Sequence, residues 1–238
     1  RLTAAGIQTH FQIGCARDLE TVERLIRKGI EGLMPDALFV GEESVAADPA
    51  LLDRLKDADL AVIVDPIDGT FNFASGLSLF GVMLAVVSKG ETVAGLIYDP
   101  IGNDWALCEK GSGAWLYRTD GAQEQMFMRP SGPLEQMIGI ANTGFFDIDT
   151  RRRILSNLAE VRLFTSYRCA AHEYRLAAAG HVDVLFYNKL MPWDHAAGWL
   201  LHQEAGGVQG AAGKEKGDDQ AAEEQAEQQG AEDSGAVV

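Results

Sequence analysis

The stretch Ala61-Val62-Ile63-Val64-Asp65-Pro66-Ile67-Asp68-Gly69-Thr70-Phe71-Asn72-Phe73 constrains this chain more than any other. It opens as an unbroken apolar run, the pattern of a strand buried on both faces. Pro66 has no N–H for a ladder and fixes its own φ, so the strand is predicted to stop there. Asp65 and Asp68 then sit at the carboxyl end of a buried strand, where open α/β sheets place their ligands. Two anionic oxygen donors on a rigid turn suit a hard cation such as Mg²⁺. Gly69 lets a backbone approach closely, and free N–H groups at a following helix start suit a phosphate. Read alone, Asp-Pro-x-Asp-Gly is equally a plain strand followed by a turn, because Asp, Pro and Gly all form turns.

The flanking segments alternate between two periods. Leu19, Val22, Leu25, Ile26, Ile30 and Leu33 recur at helical spacing, with Asp18 as the expected N-cap and Pro35 as the stop. Ala37–Val40 reads as a strand delivering Glu42 and Glu43, followed by a short helix from Pro49 to Lys56. After the central turn, the runs 80–88, 92–98, 104–108 and 114–117 are separated by Lys89-Gly90, Asp99-Pro100-Ile101-Gly102-Asn103 and Lys110-Gly111-Ser112-Gly113. That is an antiparallel meander. Strands are expected at 137–141 and 182–187, and helices at 151–161, 170–179 and 194–204, the last stopped by Gly206-Gly207. Mixed helices and antiparallel strands predict a layered α/β fold of the mixed α+β kind.

Beyond Gly210 the character changes. Residues 211–238 are mostly Ala, Gly, Glu, Gln and Asp, with two lysines, one serine and two valines, and carry −6 of the formal charge of −15. Such a segment buries too little surface to offset its ordering, so an acidic low-complexity tail, disordered, is expected there. The expected organisation is one domain over 1–210, in two packed halves of roughly 1–130 and 131–210, plus that tail. A charge of −15 disfavours nucleic acid and anionic membrane as general partners. The three cysteines, Cys15, Cys108 and Cys169, have no Cys-x-x-Cys spacing and read as reduced thiols. With no apolar run of membrane length and no signal-peptide pattern, a cytoplasmic location is expected.

Three separated motifs share one resemblance. Asp65-Pro66-Ile67-Asp68-Gly69-Thr70-Phe71-Asn72-Phe73 resembles the first signature of the inositol monophosphatase family. Gly41-Glu42-Glu43-Ser44 stands where that family keeps a metal-binding glutamate, and Trp193-Asp194-His195-Ala196-Ala197-Gly198 resembles its second signature. The match runs from about residue 18 to 208. Set against the family, the chain reads as a shortened or divergent member: little precedes Asp18, and low-complexity sequence stands where further strands and helices are usual.

The resemblance implies a Mg²⁺-dependent, lithium-sensitive phosphomonoesterase with an α-β-α-β-α sandwich of the sugar-phosphatase type. Two or three Mg²⁺ ions are implied, with Mn²⁺ as a substitute. Glu42, Asp65 and the carbonyl of Ile67 would hold one ion, and Asp65, Asp68 and Asp194 a second, about 3.5–4 Å away. The Gly69 and Thr70 N–H groups would bind the phosphate, and Glu42 and the Thr70 hydroxyl would serve the attacking water. Asp18 matches the aspartate of a Thr-x-x-Asp pattern that orients the threonine, although Cys15 occupies the threonine position. Arg168 resembles an arginine near the substrate. A homodimer acting on a small phosphorylated substrate completes the implied picture.

Other readings remain open at this stage. Asp194 also suits a helix N-cap, and Glu42 a solvated loop acid. His195 reads as a packed or exposed helix residue sooner than an acid–base group. Tyr187 and Asn188 stand where inositol-cleaving members place a glutamate on the sugar hydroxyls, which argues against inositol phosphate itself. The same core would serve a 3′-phosphonucleotide, fructose 1,6-bisphosphate or histidinol phosphate. A non-catalytic member binding protein or RNA is the alternative from another class.

Overall fold

A computed structural model describes residues 19–211 and 236–237. Asp18 and Cys15, and the acidic segment apart from Ala211 and Ala236–Val237, lie outside the described residues.

The chain opens with α1 (Leu19–Leu33), β1 (Leu38–Gly41), α2 (Glu42–Ala47) and α3 (Leu51–Asp57). Next come β2 (Leu60–Asp68), α4 (Thr70–Ala74) and the meander β3 (Gly81–Ser88), β4 (Glu91–Asp99), β5 (Asp104–Glu109), β6 (Ala114–Arg118) and β7 (Gln123–Met126). These strands form one seven-stranded sheet in chain order, parallel at β1–β2 and antiparallel thereafter. The remainder comprises β8 (Ile138–Ala141), α5 (Ile148–Leu158), β9 (Leu163–Thr165), α6 (Ala170–Ala178), β10 (Val184–Tyr187), α7 (Pro192–Glu204), β11 (Gly210–Ala211) and β12 (Ala236–Val237). A second sheet runs in the order β11-β12-β10-β8-β9.

The strand pleat sorts the core. Val62 and Val64 face one way, with Val82, Leu84 and Leu96, onto Ile30 and Ile26 of α1. Ala61 and Ile63 face the other way, with Met83, Ala85 and Ile97, and join Ala171, Tyr174, Ala197 and Leu201 of α6 and α7. Ile140 and Leu185 of the second sheet close on those same two helices, while Gly139 turns towards Leu158 of α5. The layers are therefore α1, first sheet, α6 with α7, second sheet, α5, which is the expected sandwich. Close packing of the central layer depends on two missing side chains: a Cβ on Gly198 would strike the Tyr174 ring, and one on Gly95 would lie 2.9 Å from the Ala197 carbonyl oxygen.

Three local expectations need correction. The strand does not stop at Pro66: β2 runs on to Asp68, and its register against β3 shifts between Asp65 and Asp68. That irregularity accommodates a residue with no N–H to give and bends the strand where the two acids lie. Helix α5 starts at Ile148, not 151, because the Asp147 carboxylate accepts the N–H groups of Asp149 and Thr150 at 3.0 Å each. Helix α7 starts at Pro192, with Met191 as its N-cap, so Asp194 is not the cap residue. The short strands β7 and β9 carry too little pattern to be read in advance. Among the described residues, no helix is long and apolar enough to cross a membrane.

Candidate active site

The two separated sequence motifs meet. Asp65 and Asp68, at the bent end of β2, and Asp194, in the first turn of α7, bring carboxylate oxygens within 4.8 Å of one another. Glu42, first residue of α2, lines the same cavity, as do Gly69, Thr70 and Arg168. The cavity holds about 630 Å³, room for a small phosphate ester. The four acids come from positions 42, 65, 68 and 194.

Each acid is held by its own local device. Asp65 Oδ1 accepts the Ile67 N–H at 2.9 Å, an Asx turn that fixes its side chain. Asp68 Oδ2 accepts the Ala171 N–H at 2.6 Å and the Cys169 thiol at 3.1 Å, which ties β2 to the start of α6. Glu42 is set by the short helix it begins, whose Glu43 and Ser44 N–H groups donate to the buried carboxylate of Glu23 at 2.8 and 2.9 Å. Thr70 donates its hydroxyl to the Ile67 carbonyl at 3.2 Å. Gly69 is left-handed at φ 85°, and a Cβ there would lie 2.9 Å from the Leu79 carbonyl oxygen.

This cluster repels itself. Burial, then Asp68, Glu42 and Asp194, push Asp65 well above its ordinary 3.8. Burial also raises Asp68, against the hydrogen bonds from Ala171 and Cys169. Burial first, with Asp194 and Glu43 next, lifts Glu42 to about 7, and burial with Asp68 lifts Asp194 to about 6. Carboxylates gathered out of water at such cost, with oxygen donors alone, fit a hard divalent cation.

Sequence reasoning missed Cys169, Ala171 and Glu173. Glu173, 1% exposed, accepts the N–H groups of Tyr167 (2.8 Å) and Arg168 (3.1 Å) and the Tyr187 hydroxyl (2.9 Å). Burial lifts it to about 7. A signal existed: Ala170, Glu173, Tyr174 and Ala177 share one helical stripe, and an acid on an apolar stripe calls for a partner. His195 is a packing residue. Its Nδ1 meets the Tyr174 hydroxyl at 3.0 Å, its Nε2 meets the Lys189 carbonyl at 2.9 Å, and burial lowers it to about 4. His172 Nε2 lies 3.2 Å from the Phe80 carbonyl.

Residues 16–235 match the model of the inositol monophosphatase family. The chain belongs to that family. Among similar proteins, "Nus factor SuhB" of Pasteurella multocida (strain Pm70) is 33% identical over 198 residues, covering 79% of this chain and 67% of that protein. "Fructose-1,6-bisphosphatase/inositol-1-monophosphatase" of Thermotoga maritima is 32% identical over 186 residues, covering 78% and 66%. A solved structure of the extragenic suppressor protein SuhB of Bartonella henselae superimposes with a TM-score of 0.71 at 27% identity, covering 92% of this chain and 77% of that one. The chain thus spans about two thirds of the length of the relatives it matches. In this member of the inositol monophosphatase family, Asp65, Asp68 and Asp194 come together at one cavity.

Proposed function

We propose that this chain hydrolyses a small phosphate monoester with the help of divalent cations, Mg²⁺ first and Mn²⁺ as substitute. The observation that carries this reading is the convergence of Asp65, Asp68 and Asp194 on one point beside Glu42. Asp65, Asp68, Asp194 and Glu42, with the Ile67 carbonyl, would hold two or three ions. Bound there, the ions neutralise the ester's charge and lower the pKa of a water.

The chain's own groups do the rest. The N–H groups of Gly69 and Thr70 bind the phosphate oxygens. Thr70, its hydroxyl proton given to Ile67, offers lone pairs to the attacking water, and Glu42 takes the proton that this water loses. Water adds to phosphorus, the ester P–O bond breaks, and the departing alkoxide takes up a proton from solvent as Glu42 returns its own to solvent, giving the alcohol and inorganic phosphate. Asp18 is assigned to orient Thr70 by family resemblance. A homodimer in the cytoplasm belongs to the same reading, and light scattering tests the oligomer.

Phosphate release from a panel of sugar, inositol and nucleotide phosphates, with and without Mg²⁺, tests the activity. Metal-dependent release that disappears in Asp65→Asn supports it, and no release on the whole panel overturns it. A second reading draws on the relatives called Nus factor SuhB: a non-catalytic partner of protein or RNA. Calorimetric titration with Mg²⁺ and Mn²⁺ separates the two, because the binding-only reading has no use for ions at the acid cluster.

A further inference from the structure

We propose that Cys169 is a positioning residue of the acid cluster: its thiol occupies one oxygen of Asp68, so that Asp68 meets a divalent cation through the other oxygen alone, which favours Mg²⁺ over Ca²⁺. The proposal rests on the phosphatase reading and adds what sets the choice of ion.

Asp68 Oδ2 accepts the Ala171 N–H at 2.6 Å and the Cys169 thiol at 3.1 Å. A carboxylate oxygen carries two lone pairs, and these two donors take both. Neither bond goes to Oδ1. With Oδ2 filled, Asp68 cannot grip one ion through both oxygens. The consequence differs between ions. Ca²⁺ accepts a carboxylate bidentately within a loose shell of about six to eight oxygens, whereas Mg²⁺ requires a tight octahedron of single oxygens. A carboxylate restricted to one oxygen therefore suits the smaller ion. Removing the thiol would free one lone pair of Oδ2, even with the Ala171 bond intact.

The thiol is mounted for this contact. Cys169 is the N-cap residue of α6, yet its side chain caps no N–H of its own helix. Its Sγ lies 3.7 Å from the Asp68 carbonyl and closer, at 3.1 Å, to the carboxylate. Gly69 leaves the room for it: a Cβ there would lie 3.2 Å from the Cys169 Sγ. The segment leading to it is held from several sides. Glu173 accepts the N–H groups of Tyr167 and Arg168, Asn72 Nδ2 donates to the Tyr167 carbonyl at 2.7 Å, and the Arg168 Cζ rests 3.6 Å from the centroid of the Phe71 ring. A thiolate beside a buried carboxylate would face a like charge out of water, so the sulfur keeps its proton and donates. The other described cysteine, Cys108, gives its thiol to the Gly95 carbonyl at 3.6 Å and does not line the cavity.

The test titrates the full chain with Mg²⁺ alone and with Ca²⁺ alone, by calorimetry. Cys169→Ala should raise the ratio of Ca²⁺ to Mg²⁺ affinity about tenfold, the scale on which partners of metal ligands act. Cys169→Ser, which keeps a donor, should hold the ratio near that of the unaltered chain. A cysteine that only packs would lower the melting temperature and weaken both ions alike. A ratio unmoved in folded Cys169→Ala overturns the proposal and leaves the phosphatase reading standing. Should that variant fail to fold, the Raman S–H stretch decides. The difference between the unaltered chain and Cys169→Ser isolates this thiol, and its band should fall at the lowered frequency of a thiol bonded to a carboxylate. A band at the free-thiol frequency overturns the proposal. If neither ion binds the unaltered chain, the phosphatase reading fails and this inference with it.

Discussion

The Ser44 N–H donates to the carboxylate of Glu23 at 2.9 Å, across the boundary between α1 and α2. Ser44 Oγ donates to that carboxylate as well, and the Glu43 N–H completes the set at 2.8 Å. Gly41, the N-cap of α2, offers no side chain of its own, and a Cβ there would collide with Glu23. A buried acid on one helix thus caps the next, and that next helix begins with Glu42. Glu23→Ala should cost about 2–4 kcal/mol, from charge-assisted bonds lost and N–H groups left unpaired. It should also weaken Mg²⁺ binding by loosening Glu42. Thermal unfolding and metal titration check both, and an unchanged melting temperature would refute the capping role.

Asp65→Asn should separate stability from function. Removing one charge from a buried, self-repelling cluster is expected to leave the metal-free protein as stable or more stable. The same change should abolish the rise in melting temperature that Mg²⁺ gives the unaltered chain, since binding stabilises only the state that binds. Melting scans with and without saturating Mg²⁺ read both effects.

The site's pH dependence has a definite sign. Glu42 and Asp194 are raised to about 7 and about 6, and both must be deprotonated to hold a cation. Divalent-metal affinity should therefore climb as pH rises through that range. Stability without metal should move the other way: folded-state values above the unfolded ones give a contribution complete below the ordinary carboxylate range and lost as pH rises through about 6 to 7. Glu173, also at about 7, adds to this trend. Calorimetry and melting curves at several pH values test the opposed slopes.

His202 is 1% exposed, and neither ring nitrogen has a hydrogen-bond partner among the described residues. Burial lowers it to about 4 from an ordinary 6.5. A depressed folded value means a contribution present above the unfolded value and lost as pH falls through about 4. His202→Leu should stabilise the fold by about 1 kcal/mol through removal of unpaired polar atoms. It should also shift the acid-unfolding midpoint to lower pH, as circular dichroism against pH would show.

Gly198→Ala should destabilise by about 1–3 kcal/mol, because the new methyl meets the Tyr174 ring in the α6–α7 layer. Chemical denaturation measures it directly.

Much of this protein was legible in its residues. Apolar runs of period two and stripes of period three to four located the helices and the meander, because those periods reflect which face of each element is buried. The three motifs named the acids through their resemblance to one family, since read alone a carboxylate beside a turn or at a helix start serves as well as a turn former or a cap. Pro66 misled, because a proline normally ends a strand, and only pairing with β3 shows the irregularity that admits it. The tertiary structure alone decided that residues 65, 68 and 194 share a few ångströms, that Glu23 caps the helix of Glu42, and that Glu173 braces Arg168 on Phe71. Those contacts join residues far apart along the chain, and no local preference encodes a distance that depends on how two sheets and three helical layers stack.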